Sequence, residues 1–159
     1  MEKLRVGIIG GTGMVGQYFV SLLQNHPWFD ITLIAASKQS SGKTYREAVE
    51  GRWLMDRGIP TGVADIKIRD ALDVKEISED VDFVFSAISL EKEKTALLEM
   101  KYARCETPVV SNNSAHRWTQ DVPMVIPEIN PEHIHAIVAQ RRRIKTKRGF
   151  IATKPNCSI

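Results

Sequence analysis

The residue best suited to nucleophilic chemistry is Cys157, carried in Pro155-Asn156-Cys157-Ser158 directly after the apolar stretch Phe150 to Thr153. That stretch reads as a strand, and Pro155 marks the place where a following helix would begin. A thiol at a helix start faces the positive end of the helix dipole, which stabilises the thiolate and so raises reactivity. Position alone leaves an alternative open, because a lone cysteine is more often a small buried hydrophobe than a nucleophile. Cys105, at the end of an amphipathic helix, reads as structural.

A second chemical signal lies near the start. Gly11-Thr12-Gly13-Met14-Val15-Gly16 has the spacing G-x-G-x-x-G, set between an apolar run and a helical pattern. In that context glycines let the backbone approach a pyrophosphate, while the helix start offers unpaired N–H groups. Gly11, Thr12, Gly13, Met14 and Val15 are therefore candidate cofactor contacts. The alternative is a tight turn that only packs helix on strand. About 20 residues further on, a carboxylate would select the ribose of NAD. Here the loop is Ser37-Lys38-Gln39-Ser40-Ser41, with hydroxyls and a cation but no acid. Ser37, Lys38, Ser40 and Ser41 suit a 2′-phosphate, so NADP is the expected cofactor, unless the segment is an ordinary hydrophilic loop.

The dense basic run Arg141 to Arg148 has two readings. Such runs can bind nucleic acid, but cations at a helix C-terminus also complement its dipole, and no aromatic residues interleave to stack bases. No nucleic-acid partner is expected. The histidines at 26, 116, 133 and 135 lack metal-ligand spacing with either cysteine, so no metal is expected.

These residues need a scaffold that gathers them. Leu4 to Ile9 and Ile31 to Ala36 read as buried strands joined by a helix over Val15 to Leu23. Residues 44–65 read as a loop-rich insertion broken by Gly58, Pro60 and Gly62. Further strands are expected at Ile66 to Ile68, Phe83 to Ser86, Val109-Val110 and, briefly, Met124 to Ile126. Helices are expected around Val74 to Ile77, over Glu91 to Arg104, and from Pro131 to about Arg143 with Asn130 as its cap. Alternation of this kind predicts an α/β, Rossmann-type open and mostly parallel sheet with helices on both faces.

Composition agrees with one such domain over residues 1–159. The chain is 43% hydrophobic and carries a net charge of +3, which announces neither disorder nor a polyanionic partner. No apolar run reaches the roughly 18 residues that cross a bilayer, so no membrane partner is expected. With no secretory signal and two cysteines, a reducing cytoplasm is the expected compartment.

Six segments taken in order resemble the aspartate-semialdehyde dehydrogenases, particularly the archaeal and fungal type. They are Gly10 to Gly16, Ser40 to Tyr45, Phe85-Ser86-Ala87, Ser111 to Arg117, Val125 to Asn130 and Pro155 to Ser158. The resemblance implies NADP-dependent reductive dephosphorylation of L-aspartyl 4-phosphate to L-aspartate 4-semialdehyde, a step of lysine, methionine and threonine biosynthesis. It implies that Cys157 forms a thioester, that Asn156 orients substrate or steadies an oxyanion, and that Arg117 binds the phosphate. Ser86 and Ala87 match the family's cofactor-contacting segment.

The family's members run to roughly twice this length. Their second domain, which supplies the acid-base histidine and the interface of a homodimer or homotetramer, comes after the cysteine. Here that domain is expected to be absent and the chain inactive alone. A malonyl- or succinyl-CoA reductase is the nearest alternative within the enzymes. The Tyr-Pro expected after the cysteine of an N-acetyl-glutamyl-phosphate reductase is missing. Outside the enzymes, a non-catalytic NADP-binding module and a basic interaction protein are the alternatives.

Overall fold

The computed structural model describes residues 2–158. Among them six strands form one sheet: β1 (Leu4–Ile9), β2 (Phe29–Ala36), β3 (Arg69–Asp70), β4 (Phe83–Ser86), β5 (Val109–Ser111) and β6 (Ile151–Thr153). Every neighbouring pair is parallel, and the order is β3-β2-β1-β4-β5-β6. The order reverses between β1 and β4, and the crevice outside the strands' carboxyl ends at such a reversal is where an α/β sheet binds its ligand.

The apolar runs of β1 and β2 need cover on both sides, because successive strand residues point to opposite faces. Val6, Ile8, Ile34 and Ala36 enter one core with Val20 of α1 (Met14–Leu22) and with Ala48 and Val49 of α2 (Tyr45–Val49). A short α3 (Thr61–Ala64) closes this side through Val63. Ile9, Leu33 and Ala35 enter the other core. There they meet Ile77 of α4 (Val74–Asp80), Leu98 and Tyr102 of α5 (Lys92–Arg104) and Ile144 of α6 (Ala136–Ile144). The Tyr102 hydroxyl, buried under α5, donates to the carbonyl of Ala71 (2.8 Å) and so ties that helix to the end of β3.

Several sequence expectations change in detail. Ile66 to Ile68 is not a sheet strand: Tyr45 N donates to the carbonyl of Ile66 and Ile68 N to that of Lys43, an antiparallel clasp, and β3 begins only at Arg69. Its two residues suffice because they pair only with Ala35 and Ala36. Within 44–65, a capping box closes α2: Glu47 N donates to the Thr44 hydroxyl, and Thr44 N to the Glu47 carboxylate. Met124 makes a single bridge to Thr153. The helix after Pro131 starts as a 3₁₀ turn over Pro131–His135 before α6. Asn130 does not cap it by side chain; its amide oxygen accepts from Ile126 N (2.7 Å) and its amide nitrogen donates to the carbonyl of Met124 (3.0 Å), bracing the preceding loop. Among the described residues no helix is long and apolar enough to cross a membrane.

The basic run has work inside the fold. Arg141 donates to the carbonyl of Arg148 and lies 5.2 Å from the centre of the Phe150 ring. Arg143 holds both oxygens of Asp121. Glu106, at φ 62°, accepts the backbone N–H groups of Arg148 (2.6 Å), Lys147 (2.9 Å) and Gly149 (3.1 Å). These bonds, that of Arg148 foremost, hold the Glu106 carboxyl below its ordinary value of 4.5. A group with a depressed folded pKa contributes fully above its unfolded value and loses the contribution as pH falls through the folded one. We therefore expect Glu106→Gln to cost about 1 kcal/mol near neutral pH, after discounting for solvent screening. The gap in urea midpoints between wild type and variant should close on acidification below pH 4.5. A gap unchanged from neutral to pH 3 would contradict this.

Candidate active site

β1 ends at Ile9, and the chain turns at Gly10 with φ 86°. A Cβ there would lie 2.6 Å from the backbone of Ala87, so a glycine is needed for the turn to cross the end of β4 this closely. A Cβ at Gly16 would collide with the carbonyl of Gly10, which sets how near α1 can start. The turn's carbonyls are engaged from behind the loop's own sequence. Tyr45 donates its buried hydroxyl to the carbonyl of Gly11 (2.9 Å), and Gln17 donates its amide to that of Thr12 (3.1 Å). Burial pushes the Tyr45 hydroxyl well above its ordinary pKa, which keeps it a donor. Gln17 also donates to the carbonyl of Arg52 and accepts from Leu54 N, so its buried amide is satisfied on both sides.

What the turn leaves for a ligand is the start of α1. Gly13 is its extended N-cap, and the first helical turn has no acidic residue. The N–H groups there are unpaired by helix geometry and suit an anion. A Cβ on Gly13 would touch nothing nearer than the carbonyl of Gly10 at 3.6 Å, so the approach is open.

A cleft of about 340 Å³ opens in front of this turn. Thr12 and Gly13 form its floor, Ser37 and Lys38 one wall, and Asp70 to Leu72 another. Asp70 accepts Leu72 N (3.0 Å) across its own turn. Ala87 to Leu90 close the cleft and are shared with a second hollow of about 310 Å³, whose other sides are Val15 and Asn112 to Ala115. The two hollows straddle the β1/β4 reversal.

The catalytic candidates arrive on the far side of that reversal. Lys154 N, just past β6, donates to the carbonyl of Ser111 at the end of β5 (3.1 Å). Arg117 then donates through Nε to the carbonyl of Lys154 and through a terminal nitrogen to that of Asn112, both at 3.1 Å. The guanidinium thus clamps the segment leading to Cys157 onto the asparagine loop. Cys157 is exposed in a turn, its thiol 3.2 Å from the Asn156 side-chain oxygen. The helix expected to begin at Pro155 is not formed among the described residues, where Pro155 and Asn156 are irregular and Cys157 and Ser158 form a turn. Cys105, read as structural, is also exposed; its backbone N–H, not its thiol, closes α5 on the carbonyls of Lys101 and Tyr102.

Of the expected cofactor contacts, Thr12, Gly13, Ser37, Lys38 and Ala87 line the first hollow, and Val15 and Ala87 the second. Gly11 lies behind them, where a Cβ would press on Ile34 at 2.5 Å. Met14 is exposed on the first turn of α1, Ser40 is buried in the turn after Lys38, and Ser41 is next to it there. Ser86 is buried and accepts the Asn113 amide (3.1 Å). Sequence reasoning missed Asp70 to Leu72, Ile88 to Leu90, and the supporting Tyr45, Gln17 and Glu99. The signal for the lining residues was available: each lies at, or within four residues beyond, the carboxyl end of a parallel strand. Among the described residues no cluster of His, Cys, Asp and Glu has the form of a metal site.

Comparison with known proteins places these features in context. A family model described as "Semialdehyde dehydrogenase, NAD binding domain" matches residues 5–137. An aspartate-semialdehyde dehydrogenase of Archaeoglobus fulgidus is 43% identical over 156 residues, covering 98% of this chain and 43% of that protein. A malonyl CoA reductase (NADP) of Metallosphaera sedula is 38% identical over 157 residues, covering 99% of this chain and 42% of that protein. The crystal structure of an aspartate semialdehyde dehydrogenase with NADP from Candida albicans matches with a TM-score of 0.84 at 34% identity, over 99% of this chain and 44% of that one. The chain spans less than half the length of these relatives.

Proposed function

The chain belongs to the semialdehyde dehydrogenase family, whose NAD-binding domain it carries, and from that premise we propose that the whole protein makes L-aspartate 4-semialdehyde from L-aspartyl 4-phosphate with NADPH. The observation that carries the reading is the clamp made by Arg117, which brings the Cys157 segment against the asparagine loop at the same end of the sheet as the glycine turn. The candidate nucleophile and the dinucleotide cradle thereby lie at one end of the sheet, on either side of the asparagine loop.

The residues fit the cofactor. The open backbone at Gly13 and the start of α1 would hold the pyrophosphate, with Ser37 and Lys38 beside a 2′-phosphate. NADPH, when bound, supplies a hydride. The Cys157 thiolate attacks the acyl carbon; a C–S bond forms, the bond to phosphate breaks, and phosphate leaves. Asn156 steadies the oxyanion of that step. Arg117 uses two of its five N–H donors on backbone carbonyls, and the others meet the phosphate. After reduction the C–S bond breaks and Cys157 is returned as thiolate. The reading carries with it a cytoplasmic, homodimeric or homotetrameric enzyme of amino-acid biosynthesis.

A second reading has one observation in its favour, the similarity to a malonyl CoA reductase, in which the leaving group would be a thiolate of coenzyme A. The test runs the reaction backwards in a protein of the relatives' length, with this chain alone beside it. NADP reduction that needs aspartate semialdehyde and phosphate, and is weaker with NAD, is expected. Dependence on coenzyme A and malonate semialdehyde would replace the first reading by the second.

A further inference from the structure

Glu99 sits in the middle of α5 and is 1% exposed, an unusual place for a carboxylate. One oxygen, Oε1, accepts two hydrogen bonds: from the Ser111 hydroxyl (2.6 Å) and from the Asn113 side-chain amide (2.8 Å). The other, Oε2, is buried without a partner among the described residues. The same Asn113 amide donates to the Ser86 hydroxyl (3.1 Å), and Asn113 N donates to the Ser111 hydroxyl (3.0 Å). Asn112 N is held by the carbonyl of Ser86 (2.9 Å). One buried carboxylate therefore fixes the ends of β4 and β5 to each other at the point where both run into the crevice.

We propose that Glu99 is a positioning residue for the nicotinamide half of the cofactor, setting through Ser111 and Asn113 the shape of the hollow bounded by Asn112 to Ala115. The proposal rests on the dinucleotide reading of the crevice. A dinucleotide laid across a strand-order reversal puts its two halves over opposite sides of it. The glycine turn, Ser37 and Lys38 belong to the β1-β2-β3 side, so the asparagine hollow over β4 and β5 is left to the nicotinamide. Glu99 reaches only that second side. Its network also includes Asn112, whose carbonyl Arg117 uses to hold the Cys157 segment. A buried polar group left half-paired costs more than the bond it lost, so a change at Glu99 is transmitted to the loop.

The geometry separates charge from acceptance. A glutamine keeps an acceptor oxygen for Ser111 and Asn113 and places an amide where Oε2 has no partner, whereas a leucine removes the acceptor. Two ligands read the two sides: NADP, which spans both, and adenosine 2′,5′-bisphosphate, which lacks the nicotinamide. For the chain titrated calorimetrically, Glu99→Leu is expected to weaken NADP by about tenfold while the bisphosphate stays within about twofold, and Glu99→Gln to restore NADP to within about threefold. Ser111→Ala, which deletes one donor and leaves the core filled, should shift NADP in the same direction and serves where Glu99→Leu does not fold. Equal weakening of both ligands would reduce Glu99 to a general stability role and overturn the proposal, as would no change in either. If the unaltered chain binds neither ligand, the dinucleotide reading itself fails, an outcome the variants cannot mimic.

Discussion

Gly10→Ala is expected to weaken nucleotide binding by at least about 100-fold and to destabilise the chain by about 2–4 kcal/mol. Two costs act at once. An alanine must adopt φ 86°, which L side chains avoid, and its methyl would lie 2.6 Å from the carbonyl carbon and oxygen of Ala87. Neither neighbour is free to retreat. Gly10 N is bonded to the carbonyl of Ala35 (2.8 Å) and Ala87 N to that of Ile9 (2.8 Å), so the methyl must push β1 from β4 or lift the turn from the start of α1. Either movement deforms the wall shared by the two hollows. Gly58→Ala is the control, since a Cβ there meets nothing within 4 Å and the backbone is not left-handed. Calorimetric titration with NADP and urea denaturation of both variants decide the matter. A Gly10→Ala chain that binds within about threefold of wild type would show that the close crossing is not what shapes the cradle.

The glycine spacing was legible before the fold, but the residue that bears the positive φ stands one place ahead of it. The pattern Gly11 to Gly16 reports where helix and turn must come close; it does not say which peptide turns the corner. Strand ends show the same limit. β1, β4 and β5 announce themselves as apolar runs because helices cover both their faces, and their ends were placed within a residue or two. β3 is an edge strand of two residues, Arg69 and Asp70, both half-buried and polar, so no apolar run marks it. The neighbouring Ile66 to Ile68 drew the assignment instead, since Ile68 is buried in the core that Tyr45 also enters although it pairs with no strand of the sheet. That displacement of about two residues is enough to hide Asp70 to Leu72, because the crevice is lined by the residues at and just beyond each strand's carboxyl end.

Support of the site was the least legible part. Tyr45 lies 34 residues from the carbonyl it holds and Gln17 lies 37 from the N–H it accepts, so no local pattern relates them. Glu99 falls in a stretch, Lys92 to Arg104, where charged residues are expected on a solvated helix face; only the packing shows that this one faces inward. Arg117 illustrates the converse. The resemblance assigned it to phosphate, and the fold adds a second duty, the bracing of Lys154 and Asn112, that a ligand-binding role alone would not have contained.

Cys157→Ser should cost at least about 10³-fold in turnover of the whole protein while leaving NADP affinity within about twofold. The step at stake is attack on the acyl carbon, which needs an ionised sulfur near neutral pH; a serine hydroxyl in the same place is not ionised and has no histidine or other base within hydrogen-bond reach among the described residues to take its proton. Its oxygen would still accept or donate at Asn156, so the loop has no reason to move, and Cys157 lines neither hollow of the nucleotide crevice. Chemistry and binding are therefore separable at this one atom. The measurement pairs phosphate-dependent NADPH formation with a calorimetric NADP titration, and adds mass spectrometry of the protein quenched during aspartyl phosphate turnover, in which an acyl adduct on the peptide bearing Cys157 is expected for wild type and not for the variant. Arg117→Lys sharpens the comparison: a single ammonium cannot hold the carbonyls of Lys154 and Asn112 in a planar fork and also meet a phosphate, so it should reduce the rate of adduct formation with the thiol intact. Turnover by Cys157→Ser within tenfold of wild type would remove the nucleophile from the mechanism, and with it the thioester on which both readings of the enzyme depend.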